Sequence, residues 1–163
     1  MDPLSLTDDL IELLLTCPKT IKSKRPRETP KAKHLEKNMA VDSDTGGYQF
    51  TLLLRQSTLI PENYSCGLFW HASATSNVIL ARYNGSDHSH ANPLEGESFS
   101  FSCHTHRATE RYIAAGRKSE HFAIATRRYN TLGGAMACLM QDCNIVWPHS
   151  EVEFDDRQSD LEF

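Results

Sequence analysis

The sequence predicts an α+β fold: an antiparallel meander sheet of about four to five strands with helices packed on one face, preceded by an N-terminal helix and a basic arm. Three observations lead there. Short runs between Tyr48 and Cys103 place apolar residues at every second position, the period of half-buried strands. Turn formers separate those runs, Pro61-Glu62-Asn63 and Asn84-Gly85 among them. Beyond Thr105 the apolar spacing lengthens to that of helices.

Taken in order, Ser5 or Thr7 can cap a first helix ending near Thr16, with Asp8 and Asp9 near its positive end. Leu6, Leu10, Ile11, Leu13 and Leu14 make its apolar stripe, and Pro18 stops it. From Lys19 to Asn38, Pro26, Pro30 and many like charges read as a flexible arm. Tyr48, Phe50, Leu52 and Leu54 alternate with polar residues in a strand reaching Arg55. Ser65 to Ala72 and Val78 to Tyr83 are the next two strands, and Glu97 to Cys103 a fourth, with Phe99, Phe101 and Cys103 on one face. Thr105 to Ala115 suits a helix stopped by Gly116, Glu120 to Arg127 a fifth strand, and Thr131 to Cys143 a final helix. The chain therefore divides into a helix (1–17), a basic arm (18–45), one α+β domain (46–150) and an acidic tail (151–163).

Charge is segregated along the chain. The net charge is −4, yet the stretch from Pro18 to Asn38 holds Lys19, Lys22, Lys24, Arg25, Arg27, Lys31, Lys33 and Lys37 against only Glu28 and Glu36. Acids dominate the stretch after residue 150. Segments of this kind attract each other or meet partners of opposite sign. The five cysteines are irregularly spaced without a CxxC pair, which excludes a zinc-ribbon pattern and a disulfide framework. Acids precede the first apolar run, the reverse of a secretory signal, and no apolar stretch approaches the ~20 residues of a membrane span. The expectation is a cytoplasmic chain without a membrane partner.

The distinctive feature is the placement of histidines. Of eight, His88, His90, His104 and His106 fall within one short stretch, with Arg82, Arg107, Arg111 and Glu110 nearby and His121 able to join. If the chain returns antiparallel to the strand ending at Tyr83, both pairs come to one end of the sheet. On a helix, Arg107 and Arg111 would share a face. Three readings compete. Acid–base chemistry on a phosphorylated substrate needs two imidazoles and cations for the phosphate. Metal binding is served by imidazole and thiolate donors, although the spacing matches no zinc template. Loop histidines can also be simple solvated polar residues. Elsewhere, Lys24-Arg25-Pro26-Arg27 could meet nucleic-acid phosphates or be a solvated linker. Cys103 is assigned to the core, since its neighbour His104 points to the opposite face of a strand.

Phe50-Thr51-Leu52-Leu53-Leu54-Arg55, then Ala81-Arg82-Tyr83-Asn84 with His88 and His90, then Cys103-His104-Thr105-His106, form an ordered set of motifs over residues 47–107. That order resembles the TumE-type toxins of bacterial toxin–antitoxin modules. Two positions depart from the family pattern: Asn84 stands where an acid follows the tyrosine, and Cys103 where a second histidine is expected. The resemblance implies a small toxin acting on RNA or translation and neutralised by an antitoxin.

The leading expectation is a toxin-like or mobile-element-associated protein acting on nucleic acid, as a histidine-dependent ribonuclease or another phosphate-directed enzyme. His104 and His106, with His88 or His90, would move protons, while Arg82, Arg107 and Arg111 would bind phosphate. It requires no cofactor; zinc at the histidines is the alternative. A different class also fits: a non-enzymatic inhibitor, such as a phage-encoded antagonist of a host defence complex, with charged termini that order on their partner.

Overall fold

The computed structural model describes residues 6–148; the acidic tail expected at 151–163 lies outside the described residues. The chain forms helix α1 (Asp8–Thr16), strands β1 (Lys19–Ile21), β2 (Arg27–Pro30), β3 (His34–Ser43), β4 (Gln49–Ser57), β5 (Tyr64–Ser73), β6 (Ser76–Asn84), β7 (Ser89–Asn92), β8 (Glu97–Ser100) and β9 (His104–Arg107), helix α2 (Glu110–Ala114), strand β10 (Ala123–Ala125), helix α3 (Leu132–Asp142) and strand β11 (Ile145–Val146). The described residues thus carry eleven strands. Nine of them build one sheet in the order β10-β9-β6-β5-β4-β3-β1-β11, with β2 also paired to β3. All its pairs are antiparallel except β1 with β11. No helix among the described residues is long and apolar enough to cross a membrane.

The α+β class and the antiparallel sheet match expectation, but the sheet is larger than four to five strands. The difference lies mainly in residues 18–45, which carry β1, β2 and β3 instead of forming a flexible arm. Pairing explains why the like charges tolerate order. Glu28 stands opposite Lys37, and Glu36 opposite Arg55, so acids on one strand meet bases on the next. Ile21, Met39 and Val41 are buried beneath them.

The core fills the space between one sheet face and helices α1 and α3. Phe50, Leu52 and Leu54 of β4 and Cys66, Leu68 and Trp70 of β5 supply its alternating floor. Thr7 caps α1 and Thr131 caps α3, each hydroxyl accepting a backbone N–H three residues on. Within α1, Ile11 and Leu14 are buried as expected, whereas Leu13 faces solvent.

Three further segments differ from expectation. The strand expected over Glu97–Cys103 is shorter, and pairs with β7 as a separate hairpin. It ends because Phe101 turns to a φ of 51° with its ring exposed, so Phe101 and the half-buried Cys103 do not share a face. The helix expected over Thr105–Ala115 is split. β9 continues the ladder on β6 until Ala108 donates to the Leu80 carbonyl, and only then does Thr109 cap the short α2. The fifth strand narrows to Ala123–Ala125.

Candidate functional site

β6 carries a bulge that decides what faces the site. Leu68 pairs with Ala81 and Phe69 with Ile79, leaving Leu80 as the extra residue. Leu80 and Ala81 are consequently both buried, and the alternation is re-phased so that Arg82 and Asn84 emerge on the sheet face away from the helices. β9 pairs with this segment, setting His106 opposite Arg82 and His104 opposite Asn84. β6 then turns at Gly85, where a Cβ would stand 2.0 Å from the Glu62 carbonyl oxygen, so only glycine fits.

The β7–β8 hairpin folds back over these four residues. Asn92 fastens it: its Nδ2 donates to the Ala123 carbonyl at 2.8 Å, and its Oδ1 accepts the Ala123 N–H at 3.0 Å. His90 thereby reaches the centre of the cluster, with ring centroids 4.8 Å from His106, 5.6 Å from His104 and 5.4 Å from His121. His104 is fully buried, while His88 lies above it at 4.9 Å. One ring nitrogen each of His90, His104 and His106 lies within 4.8 Å of the other two.

Hydrogen bonds fix the tautomers. A carbonyl oxygen can only accept, so His104 Nδ1 donates to Ser102 O (2.8 Å) and His106 Nδ1 donates to Glu120 O (2.7 Å). Asn92 Oδ1 accepts from His90 Nε2 at 2.9 Å. The lone pairs remain on Nε2 of His104 and His106 and on Nδ1 of His90. Burial holds the His104 imidazole below its ordinary range, helped by His88 and His90. It pushes His106 down to about 3, with His104, His90 and Arg82 adding repulsion that the Glu120 carbonyl only partly offsets. Both rings are therefore neutral at physiological pH. His88 differs: it is more exposed and its Nδ1 lies 2.7 Å from Asp87.

The cluster floors a cleft of about 420 Å³ lined by Arg82, Asn84, His88, His90, His106, Arg117, Lys118, Glu120 and His121. All four expected histidines and Arg82 converge. Arg107 and Arg111 do not. Arg107 lies on the helix side of β9 and ion-pairs with Glu12 of α1, and Arg111 pairs with Glu95 at 3.1 Å and lies over the Phe122 ring. Asn84, Arg117 and Lys118 were missed from sequence. Asn84 could have been found two residues after Arg82 on one strand face; Arg117 and Lys118 are brought in by the turn at Gly116, whose φ is 73°.

A family model described as a family of unknown function (DUF6978) matches residues 6–145. The chain belongs to that family. The DUF6978 match spans the elements from α1 to the start of β11 and takes in every histidine of the cluster. No curated protein and no solved structure matches the chain. Nothing in these comparisons connects it to the TumE-type toxins.

Proposed function

We propose that the protein is a metal-dependent enzyme of hydrolytic type, whose centre is a divalent cation held by His90, His104 and His106. One observation carries this reading: three imidazoles, each with its other nitrogen engaged by a backbone or amide oxygen, converge beside an open cleft that His90 and His106 line. Second-shell acceptors of this kind orient metal-bound histidines and raise their basicity. Three nitrogen ligands with an open fourth position are the donor set of catalytic zinc, which lowers the pKa of its bound water to about 7. A tetrahedral ion needs its nitrogens roughly 3.4 Å apart, so the rings would draw together modestly on binding.

His90, His104 and His106 would hold the ion, which would supply an acidified water as the nucleophile for hydrolysis, with a proton going to the leaving group as its bond breaks. Of the two cleft imidazoles outside the ligand set, His88 and His121, His88 is the one supported by a carboxylate, Asp87, and would relay protons. Acid–base work by His104 and His106 themselves fits less well, because burial keeps both neutral and their Nδ1 protons are committed to carbonyls.

Titrating the metal-free full chain with zinc, and with cobalt(II) for its visible absorption, tests the reading. One equivalent should bind and raise the melting temperature, and alanine at His90, His104 or His106 should each abolish it. Failure to bind either ion, or unchanged binding in all three variants, would remove the proposal.

A further inference from the structure

We infer that the substrate of this centre carries a phosphate ester, gripped beside the metal by Arg82, Arg117 and Lys118. The inference rests on the metal-centre reading and extends it to the substrate class. These three cations line the same cleft as His90 and His106, and they make no ion pair among the described residues. Three other arginines, Arg107, Arg111 and Arg128, are by contrast paired with Glu12, Glu95 and Asp142. The cleft is thus cationic within a chain of net charge −4, with Glu120 as its one lining carboxylate. Overall composition does not account for that sign; an anionic ligand does.

Geometry narrows the anion. Arg82 stands directly across the ladder from His106 and lines the same cleft, so the strand itself sets its guanidinium beside the proposed centre. Arg117 and Lys118 sit on an anchored turn, where Arg117 N donates to Tyr112 O at 3.0 Å and Gly116 N donates to Ile113 O at 3.0 Å. A carboxylate offers two oxygens and a single charge, too few for three cations and a divalent ion together. A phosphate ester offers up to three free oxygens and two charges, and arginine engages it through paired N–H donors. A cleft of about 420 Å³ suits the ester and the moiety next to it.

The test uses the zinc-loaded full chain and calorimetric titration with inorganic phosphate, with acetate as the carboxylate control. Phosphate should bind and acetate should not. Arg82→Gln should weaken phosphate at least about ten-fold, the order expected when a charge-assisted pair is lost. The solvent-exposed Lys118→Glu should do the same without risk to folding, and both variants should keep one equivalent of zinc. Zinc binding with no phosphate binding, with phosphate and acetate binding equally, or with phosphate affinity unchanged in both variants overturns the substrate class while leaving the metal centre. Absence of zinc binding overturns both. A nucleoside monophosphate and a short single-stranded RNA then separate the sources: tighter RNA binding assigns the ester to a nucleic-acid strand, and tighter mononucleotide binding assigns it to a small phosphoester.

Discussion

Asn84 faces His104 across the β6–β9 ladder, and its Nδ2 lies 3.4 Å from the His104 Nε2 that carries the lone pair. The contact is long for a hydrogen bond, and Asn84 Oδ1 is a buried oxygen without a partner among the described residues. An aspartate at this position would set a carboxylate oxygen beside His104 Nε2, where it could fill the open position. Asn84→Asp should therefore raise zinc affinity about ten-fold, a gain of ~1.4 kcal/mol, by supplying a carboxylate of the same shape. It should also depress turnover, since the open position would be filled. Calorimetric titration of the two proteins decides this, and equal zinc affinities would place Asn84 outside the coordination sphere.

Arg107 gives the complementary case. A reading from sequence spacing makes it a phosphate ligand, but the strand turns it toward α1 and Glu12. Both partners are about half exposed, and such pairs contribute about 0–1 kcal/mol. Arg107→Ala should lower stability by less than ~1 kcal/mol and leave phosphate binding at the wild-type level. A loss of phosphate affinity matching that of Arg82→Gln would mean that Arg107 reaches the cleft after all.

What the sequence disclosed divides along the same line, local against non-local. α1 was legible because its cap, Thr7, lies beside the apolar stripe it initiates, and α3 because Leu132, Ala135, Met136 and Leu139 recur at helical spacing. β4, β5 and β6 were legible because alternation such as Phe50, Leu52 and Leu54 survives in one short run. β2 and β3 were not, because the charges that dominate them are balanced only across strands, Glu28 by Lys37 and Glu36 by Arg55. The convergence of His88, His90, His104 and His106 was foreseeable from an antiparallel return. The face they meet on was not: it depends on the bulge at Leu80, which is a property of the pairing of β5 with β6. Without that extra residue, Arg82 would point into the core.

The buried imidazoles make stability depend on pH. His106 titrates at about 3 when folded but near its ordinary 6.5 when unfolded, and His104 is lowered in the same direction. Above 6.5 both states are neutral and the pair contributes no pH dependence. As pH falls through 6.5 the unfolded chain takes up protons that the folded one refuses, so stability drops progressively until about pH 3. The limiting slope is about 1.4 kcal/mol per pH unit for each such group. Denaturant unfolding between pH 7 and 4 should show the decline, and His106→Asn should flatten it. The same steep decline in that variant would assign the effect to other groups.

Lys19 tests the opposite side of the sheet. It is fully buried, and its ammonium donates to the carbonyls of Leu15 (2.8 Å), Cys17 (2.9 Å) and Cys143 (2.8 Å). Two of those carbonyls end α1 and one ends α3, so a single cation closes both helix C-termini, where the helix dipole favours positive charge. Asn144 joins the same junction, its Nδ2 donating to Thr16 O. Burial lowers the Lys19 pKa, yet three carbonyl acceptors and the Phe50 ring 5.1 Å away leave every ammonium proton with a partner. Lys19→Met keeps the length and removes the donors, stranding three buried acceptors. We expect a loss of about 3–5 kcal/mol and a melting temperature lower by roughly 10 °C. Zinc stoichiometry in the folded fraction should be unchanged, because the histidines lie on the other face of the sheet. A destabilisation below ~1 kcal/mol would show that water replaces the ammonium and that the two helix ends hold together through packing alone.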